Sequence, residues 1–260
     1  MGMAMQDLPV FPDLKGASVF ITGGGSGIGA ALTEGFLRQG ARVAFCQRSE
    51  ASQFCDAMEA ATGNRPLFTR ADITDLGSLN AALASAAAAH GPISVSVNNA
   101  ANDQRMGTLH VDEAFFDASI AVNLKSYFFA AKAVIPAMQA MGGGVIVNFS
   151  CISYMMATAG YPVYIAANAA ITGLTRTLAR EFGADRIRVN ALAPGWVLTQ
   201  KQKDLWVTPE GLAAHLAQQC LPDPLEPQDI VGGYLFLASK ASRAMTGQVL
   251  VIDGGVVHSG

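Results

Sequence analysis

Tyr164 and Asn168 stand four residues apart in "YPVYIAANAAITGLTRTLAR", residues 161–180, a stretch with helical apolar spacing. That spacing puts both side chains on one helical face. A phenol can accept or give a proton, although unperturbed tyrosine titrates near ~10 and is protonated at neutral pH. An ammonium one turn away would lower that value by roughly 1–3 units, whereas the amide at position 168 brings no net charge. A second constellation lies near the start of the chain. "VFITGGGSGIGAAL" sets a glycine-rich turn between an apolar run and a helical pattern. Residues without Cβ let backbone N–H groups close on a phosphate, and the helix beginning near Gly27 points its positive end at the same anion. The chemistry these residues allow is proton transfer beside a bound pyrophosphate.

The elements that must position them follow from the pattern. Strands are predicted at 18–22, 42–46, 67–69, 93–98, 145–150, 188–192 and 248–252. Helices are predicted at 27–39, 51–61, 76–90, 112–141, 161–182 and 227–239. The early strands "SVFIT", "RVAFC" and "ISVSV" are nearly all apolar or uncharged, as expected when helices cover both faces of a parallel sheet. Strand–helix alternation with short connections predicts an α/β fold, a single-domain doubly wound sheet of about seven parallel strands. No repeat or linker divides residues 1–260. Residues 196–227 break the rhythm at the end of a strand, where an open α/β sheet places ligand-covering elements, so they are expected to form a substrate lid.

Composition narrows the function. At 260 residues, 51% of them apolar, the chain can bury a large core. A net charge of −3 without a basic stripe argues against nucleic acid. No apolar run approaches the roughly 20 residues that span a bilayer, and the N-terminus lacks the pattern of a secretory signal. The cysteines at 46, 55, 151 and 220 form no CxxC pair and have no histidine at ligand spacing, so free thiols, no metal and a cytoplasmic setting are expected.

The spacing of Thr22, Gly23, Gly27 and Gly29 resembles the cofactor fingerprint of the short-chain dehydrogenase/reductase family, and the resemblance runs to the C-terminus. "ADITD", with Asp72 and Ile73, is similar to the family's adenine-contacting turn. "NNAAN", with Asn99 and Ala100, is similar to its NNAG motif, and "VNL" carries Asn123. "APGWVLT" is similar to the turn that touches the nicotinamide, through Pro194, Gly195, Val197 and Thr199. The resemblance implies a nicotinamide dinucleotide held by these residues together with Ser26 and Ile28. At the end of the second predicted strand, Gln47 stands where an acid would select NAD, and Arg48 beside it favours a 2′-phosphate. NADP is therefore expected, with NAD as second choice.

The same resemblance implies a catalytic tyrosine at Tyr164 and an asparagine at Asn123. The family's serine position holds Cys151 and its lysine position holds Asn168. A thiol donates more weakly than a hydroxyl. Ser150 and Ser153 are candidate substitutes, although strand alternation turns Ser150 away. No rescuing lysine is evident, since Lys125 reads as a helix-surface charge. Two expectations follow: an oxidoreductase that is slow or shifted to alkaline pH, or a dinucleotide-binding homologue without turnover that acts as a subunit or sensor. The likeness is nearest to bacterial sugar (aldose) 1-dehydrogenases, which implies a small sugar substrate oxidised to a lactone. Asn102, Asp103, Gln104 and Gln200 could then bond hydroxyls, and Trp196 and Trp206 could stack on the ring. Pairing through the two long helices implies a homotetramer or homodimer.

Overall fold

The computed structural model describes residues 5–258. Seven parallel strands form one sheet in the order β3-β2-β1-β4-β5-β6-β7. They are β1 (Ser18–Thr22), β2 (Arg42–Gln47), β3 (Leu67–Arg70), β4 (Val95–Asn98), β5 (Gly144–Phe149), β6 (Ile187–Pro194) and β7 (Val249–Ile252). Every strand of the sequence reading is present, with ends displaced by a few residues at most.

The helices are α1 (Gly27–Arg38), α2 (Ser52–Thr62), α3 (Leu76–His90), α4 (Glu113–Ile120), α5 (Ser126–Met141), α6 (Pro162–Phe182), α7 (Gln200–Leu205), α8 (Pro209–Leu216) and α9 (Pro227–Ala238). They cover both faces of the sheet. Leu32, Phe36, Val231 and Leu235 pack one face with Ile21 and Phe45. Leu79, Ala130, Val134 and Leu178 pack the other with Phe20 and Ile146. Strand residues buried on both sides explain why the apolar runs are continuous rather than alternating.

The helix expected over 112–141 is instead two helices joined by a wider turn. Ala121–Lys125 is π-helical, and it buries Asn123 in its middle. Such a turn is a recurrent functional device, and apolar periodicity does not encode it. The same span, Glu113–Met141, is long and apolar enough by composition to cross a membrane, with a mean hydropathy of 1.2, because few charges interrupt it. Its inner face, including Tyr127, Ala131, Val134 and Met138, is buried in the core, while Phe116, Phe128 and Met141 are exposed.

The sheet winds one way from β1 to β3 and the other way from β4 to β7. Above the carboxyl ends of β1 and β4 the connections part and leave a crevice, the place where an open α/β sheet takes its ligand. Polar side chains support that edge from within: buried Asn98 donates to Asn148 at 2.9 Å, and Asn148 donates to Thr175 at 2.9 Å.

Candidate active site

The glycine turn is built by close backbone approach. Gly23 has φ +71° and Gly27 φ +53°, both in the left-handed region that favours glycine. A Cβ on Gly29 would lie 1.9 Å from the Gly23 carbonyl oxygen and 2.7 Å from Asn99 Nδ2. Asn99 Nδ2 donates to the carbonyls of Thr22 and Gly23, and Thr22 Oγ1 accepts from the N–H groups of Asn99 and Ala100. These bonds tie the end of β1 to the end of β4. Ser26 caps α1 without a side-chain bond to the helix, which leaves the first N–H groups for an anion.

Beside this turn a cavity of about 620 Å³ is lined by Gly23, Gln47, Arg48, Asp72, Ile73 and Ala100, among others. Gln47 does not project freely into it: Oε1 accepts from Gly25 N–H at 3.0 Å, and Nε2 donates to Ser49. Glu50 accepts from Ala51, Ser52 N–H and Ser52 Oγ, so its carboxylate is committed to the start of α2 rather than to this cavity. The Asp72 carboxyl accepts from Thr74 N–H and Oγ1, and chiefly the backbone bond holds it below the usual carboxylate range. A free helix N-terminus, a turn without Cβ atoms and a polar cavity holding Arg48 fit a dinucleotide.

A second cavity, about 460 Å³, meets the far side of the turn at Ile28 and Thr199. Tyr164, Cys151, Pro194, Gly195, Trp196 and Val197 line it, so the phenol and the thiol do face one space. Burial raises the Tyr164 phenol well above its ordinary value, and Cys151, Asp103 and Tyr127 act in the same direction. Among the described residues no cation adjoins it to oppose that rise. Asn168, 1% exposed, donates through Nδ2 to the Tyr164 carbonyl at 2.9 Å, and its hydrogen bonding to the phenol opposes the rise only in part, as a neutral amide brings no net charge. Burial also pushes the Cys151 thiol up, which keeps it protonated and unreactive at neutral pH. All four cysteines are free, and no group of residues able to hold a metal occurs among the described residues.

The serines separate as strand alternation predicts. Ser150 is buried, bonds the Asn168 carbonyl at 3.3 Å and does not line the cavity. Ser153 does line it, and its Oγ is buried without a hydrogen-bond partner. Lys125 is exposed on the helix surface. Asn123 holds the loop after β4: its Oδ1 accepts from Asn102 N–H at 2.8 Å, and its Nδ2 donates to the Asn102 carbonyl at 3.0 Å.

Residues 196–227 cover the second cavity. Thr199 caps α7, and Leu198 N–H donates to the Leu225 carbonyl, which closes the base of the segment. Trp196 and Trp206 line the cavity as expected, joined by His215 of α8 and by Gln218 just beyond it. Asn102 and Gln104 line the first cavity instead, and Gln200 bonds Asp204 on the outside of α7 and lines neither. Residues 101–107 run as an irregular loop, so the side-chain alternation that would have assigned them does not apply. Asp103 reaches the second cavity and accepts from Lys201 Nζ and Gln202 Nε2, each at 2.6 Å. Arg105, Tyr161 and His215 also face it, and no short-range spacing marks them. The ring nitrogens Trp206 Nε1 and His215 Nε2 are buried without partners. Burial lowers the His215 pKa, favouring neutral imidazole.

Residues 23–257 match the family described as Enoyl-(Acyl carrier protein) reductase. A protein of Rhizobium meliloti named probable galactose dehydrogenase GalD is 48% identical over 248 residues, spanning 95% of this chain and 97% of its own. D-xylose 1-dehydrogenase of Caulobacter vibrioides is 42% identical over 247 residues, spanning 95% and 98%. A crystal structure described as a short-chain alcohol dehydrogenase from Sinorhizobium meliloti superposes with a TM-score of 0.90 at 31% identity, covering 95% of this chain and 98% of that one.

Proposed function

The chain belongs to the short-chain dehydrogenase/reductase family and is an oxidoreductase acting on CH–OH groups, and on that premise we propose that it oxidises a small sugar at its anomeric carbon to a lactone with NADP. The observation that carries the sugar is the second cavity. Beside Tyr164 its wall is mixed: apolar Ile28, Phe149, Met156 and Val197 stand with Asp103, Gln202, Gln218 and the rings of Trp196 and Trp206. Asp103 and Gln218 on this wall present oxygen atoms that can accept from hydroxyl groups. The printed names of the galactose and xylose relatives agree with this chemistry.

The glycine turn, Asp72, Ile73, Asn99, Ala100 and the 194–199 turn would hold the dinucleotide. Arg48 on the first cavity, with Arg70 Nε bonded to its carbonyl and Glu50 turned away, supports NADP over NAD. The bound nicotinamide supplies the hydride acceptor. Tyr164 takes the hydroxyl proton of the substrate, with Ser153 or Cys151 beside the same oxygen. Segment 196–227 acts as the lid. The exposed apolar residues Phe116, Phe128 and Met141 suit pairing of copies along α4 and α5.

A second reading is a homologue that binds dinucleotide without turnover, and the neutral, self-bonded Asn168 favours it. Turnover of a sugar panel with NADP and NAD, measured from neutral to alkaline pH, separates the two. The enzyme predicts a rate that is still climbing at pH ~10, because a phenol whose pKa is raised above that ordinary value is deprotonated only beyond it. A rate of zero at every pH, with dinucleotide still bound, rejects it. Oxidation of steroid alcohols alone would reject the sugar.

A further inference from the structure

Four planar groups stand in a row across the second cavity, and one of them carries a charge. The Arg105 guanidinium carbon lies 4.4 Å from the ring centre of Trp206 and 5.5 Å from that of Tyr161. Tyr161 is stacked in turn on Tyr164, with centroids 5.6 Å apart and planes inclined by 24°. All four side chains line the same space. We propose that Arg105 supplies, from the loop after β4, the positive charge that position 168 lacks, and that it acts on the phenol pair Tyr161–Tyr164.

The surroundings leave this charge uncancelled. Among the described residues no ion pair or hydrogen bond engages Arg105, whereas Asp103, two residues earlier, is matched by Lys201 and Gln202. The groups facing Tyr161 are Cys151, Ser153, Asp103 and Arg105. Burial and Cys151 push its pKa up, a hydrogen bond with Ser153 and then the charge of Arg105 oppose them, and Asp103 adds to the rise. Cys151, Asp103 and Tyr127 face Tyr164, none of them positive. Tyr161 is half-buried and Tyr164 fully buried, so within the pair the outer phenol loses its proton more readily and lies nearer the cation. Arg105 thus acts as a positioning residue through Tyr161. The loop that presents it is held by Asn123, which gives the π-turn a purpose in this chain.

This inference rests on the dehydrogenase reading only in that turnover requires the pair to take up a proton. Two measurements test it. The first is the pH profile of NADP-dependent oxidation of galactose and xylose by the parent, Arg105→Gln, Arg105→Lys and Trp206→Leu. Loss of the cation in Arg105→Gln moves the rising limb up by about one pH unit or less, the lower end of a nearby-charge effect because the exposed guanidinium is screened by solvent. Arg105→Lys restores the parent limb. Trp206→Leu, which removes the platform but keeps the charge, changes KM and leaves the limb in place. The second is ultraviolet difference titration of tyrosinate in the cofactor-free protein, with the Tyr161 step assigned by its loss in Tyr161→Phe. That step rises in Arg105→Gln and returns in Arg105→Lys. Superimposed titrations for parent and Arg105→Gln overturn the proposal whether or not any sugar is turned over. Absence of sugar turnover with a shifted titration leaves the electrostatic role standing and removes the dehydrogenase reading.

Discussion

The two cavities on either side of the glycine turn are built on different terms. Around the glycine turn, polar side chains are committed to the backbone: Thr22 holds Asn99 and Ala100, Asn99 holds Thr22 and Gly23, and Gln47 holds Gly25. Around Tyr164, Ser153, Trp206 and His215 keep buried polar atoms without partners. The first region is constrained by backbone contact, where an added carbon cannot fit. The second depends on charges and donors that can be exchanged with no harm to the fold. Asn168 illustrates this, since it satisfies its amide on the Tyr164 carbonyl and leaves α6 intact. A change there costs rate, whereas a change at Gly29 costs the site.

That contrast can be broken by substitution, and the largest effect belongs to the turn. Gly29→Ala places a carbon 1.9 Å from the Gly23 oxygen. It should weaken NADP binding by about 100-fold or more, a loss readable by calorimetry, since the turn must open to admit the methyl group. Retention of parent affinity would show that backbone contact does not define this half.

Next comes Asn168→Lys. An ammonium near the phenol lowers its pKa by roughly 1–3 units, so the fraction of phenolate at neutral pH rises about tenfold or more. The rising limb of the rate profile should move to lower pH by the same interval, because the deprotonated form is the active one. Adding Cys151→Ser should raise kcat further by a few-fold through the stronger donor. A parent-like profile in both variants, with cofactor bound, would mean that the second region is not a dehydrogenase short of one cation.

A smaller effect is expected on the lid. His215→Phe removes one hydroxyl partner and should raise the sugar KM by about tenfold, as for one buried hydrogen bond, with NADP affinity unchanged. An equal loss of NADP affinity would erase the division between the regions. Smallest is Arg48→Ala, which should reduce the preference for NADP over NAD by about fivefold, because an exposed arginine is screened by solvent. It is read from the ratio of kcat/KM values with the two cofactors.

Much of the first region was legible in the chain. A glycine turn between a strand and a helix and Gln47 and Arg48 at the end of β2 are relations over a few residues, and so, in the second region, is a phenol one turn before an amide. The π-turn was not legible, because Asn123 breaks no apolar pattern and spends its side chain on a loop twenty-one residues back. Gln104 and Asn102 were assigned to the substrate from polarity, yet they line the other cavity, since an irregular loop has no alternation from which to read direction.

The sequence by itself therefore determined the doubly wound sheet, the anion cradle and the identity of the groups at positions 151, 164 and 168, all of which are local. Only the tertiary structure decided that Arg105 lies over Tyr161 and against Trp206, and that Asp103 is matched by Lys201 from ninety-eight residues away. The reason is physical: charge interactions act through space across segments that the sheet order brings together, and nothing in the spacing of either segment records the meeting.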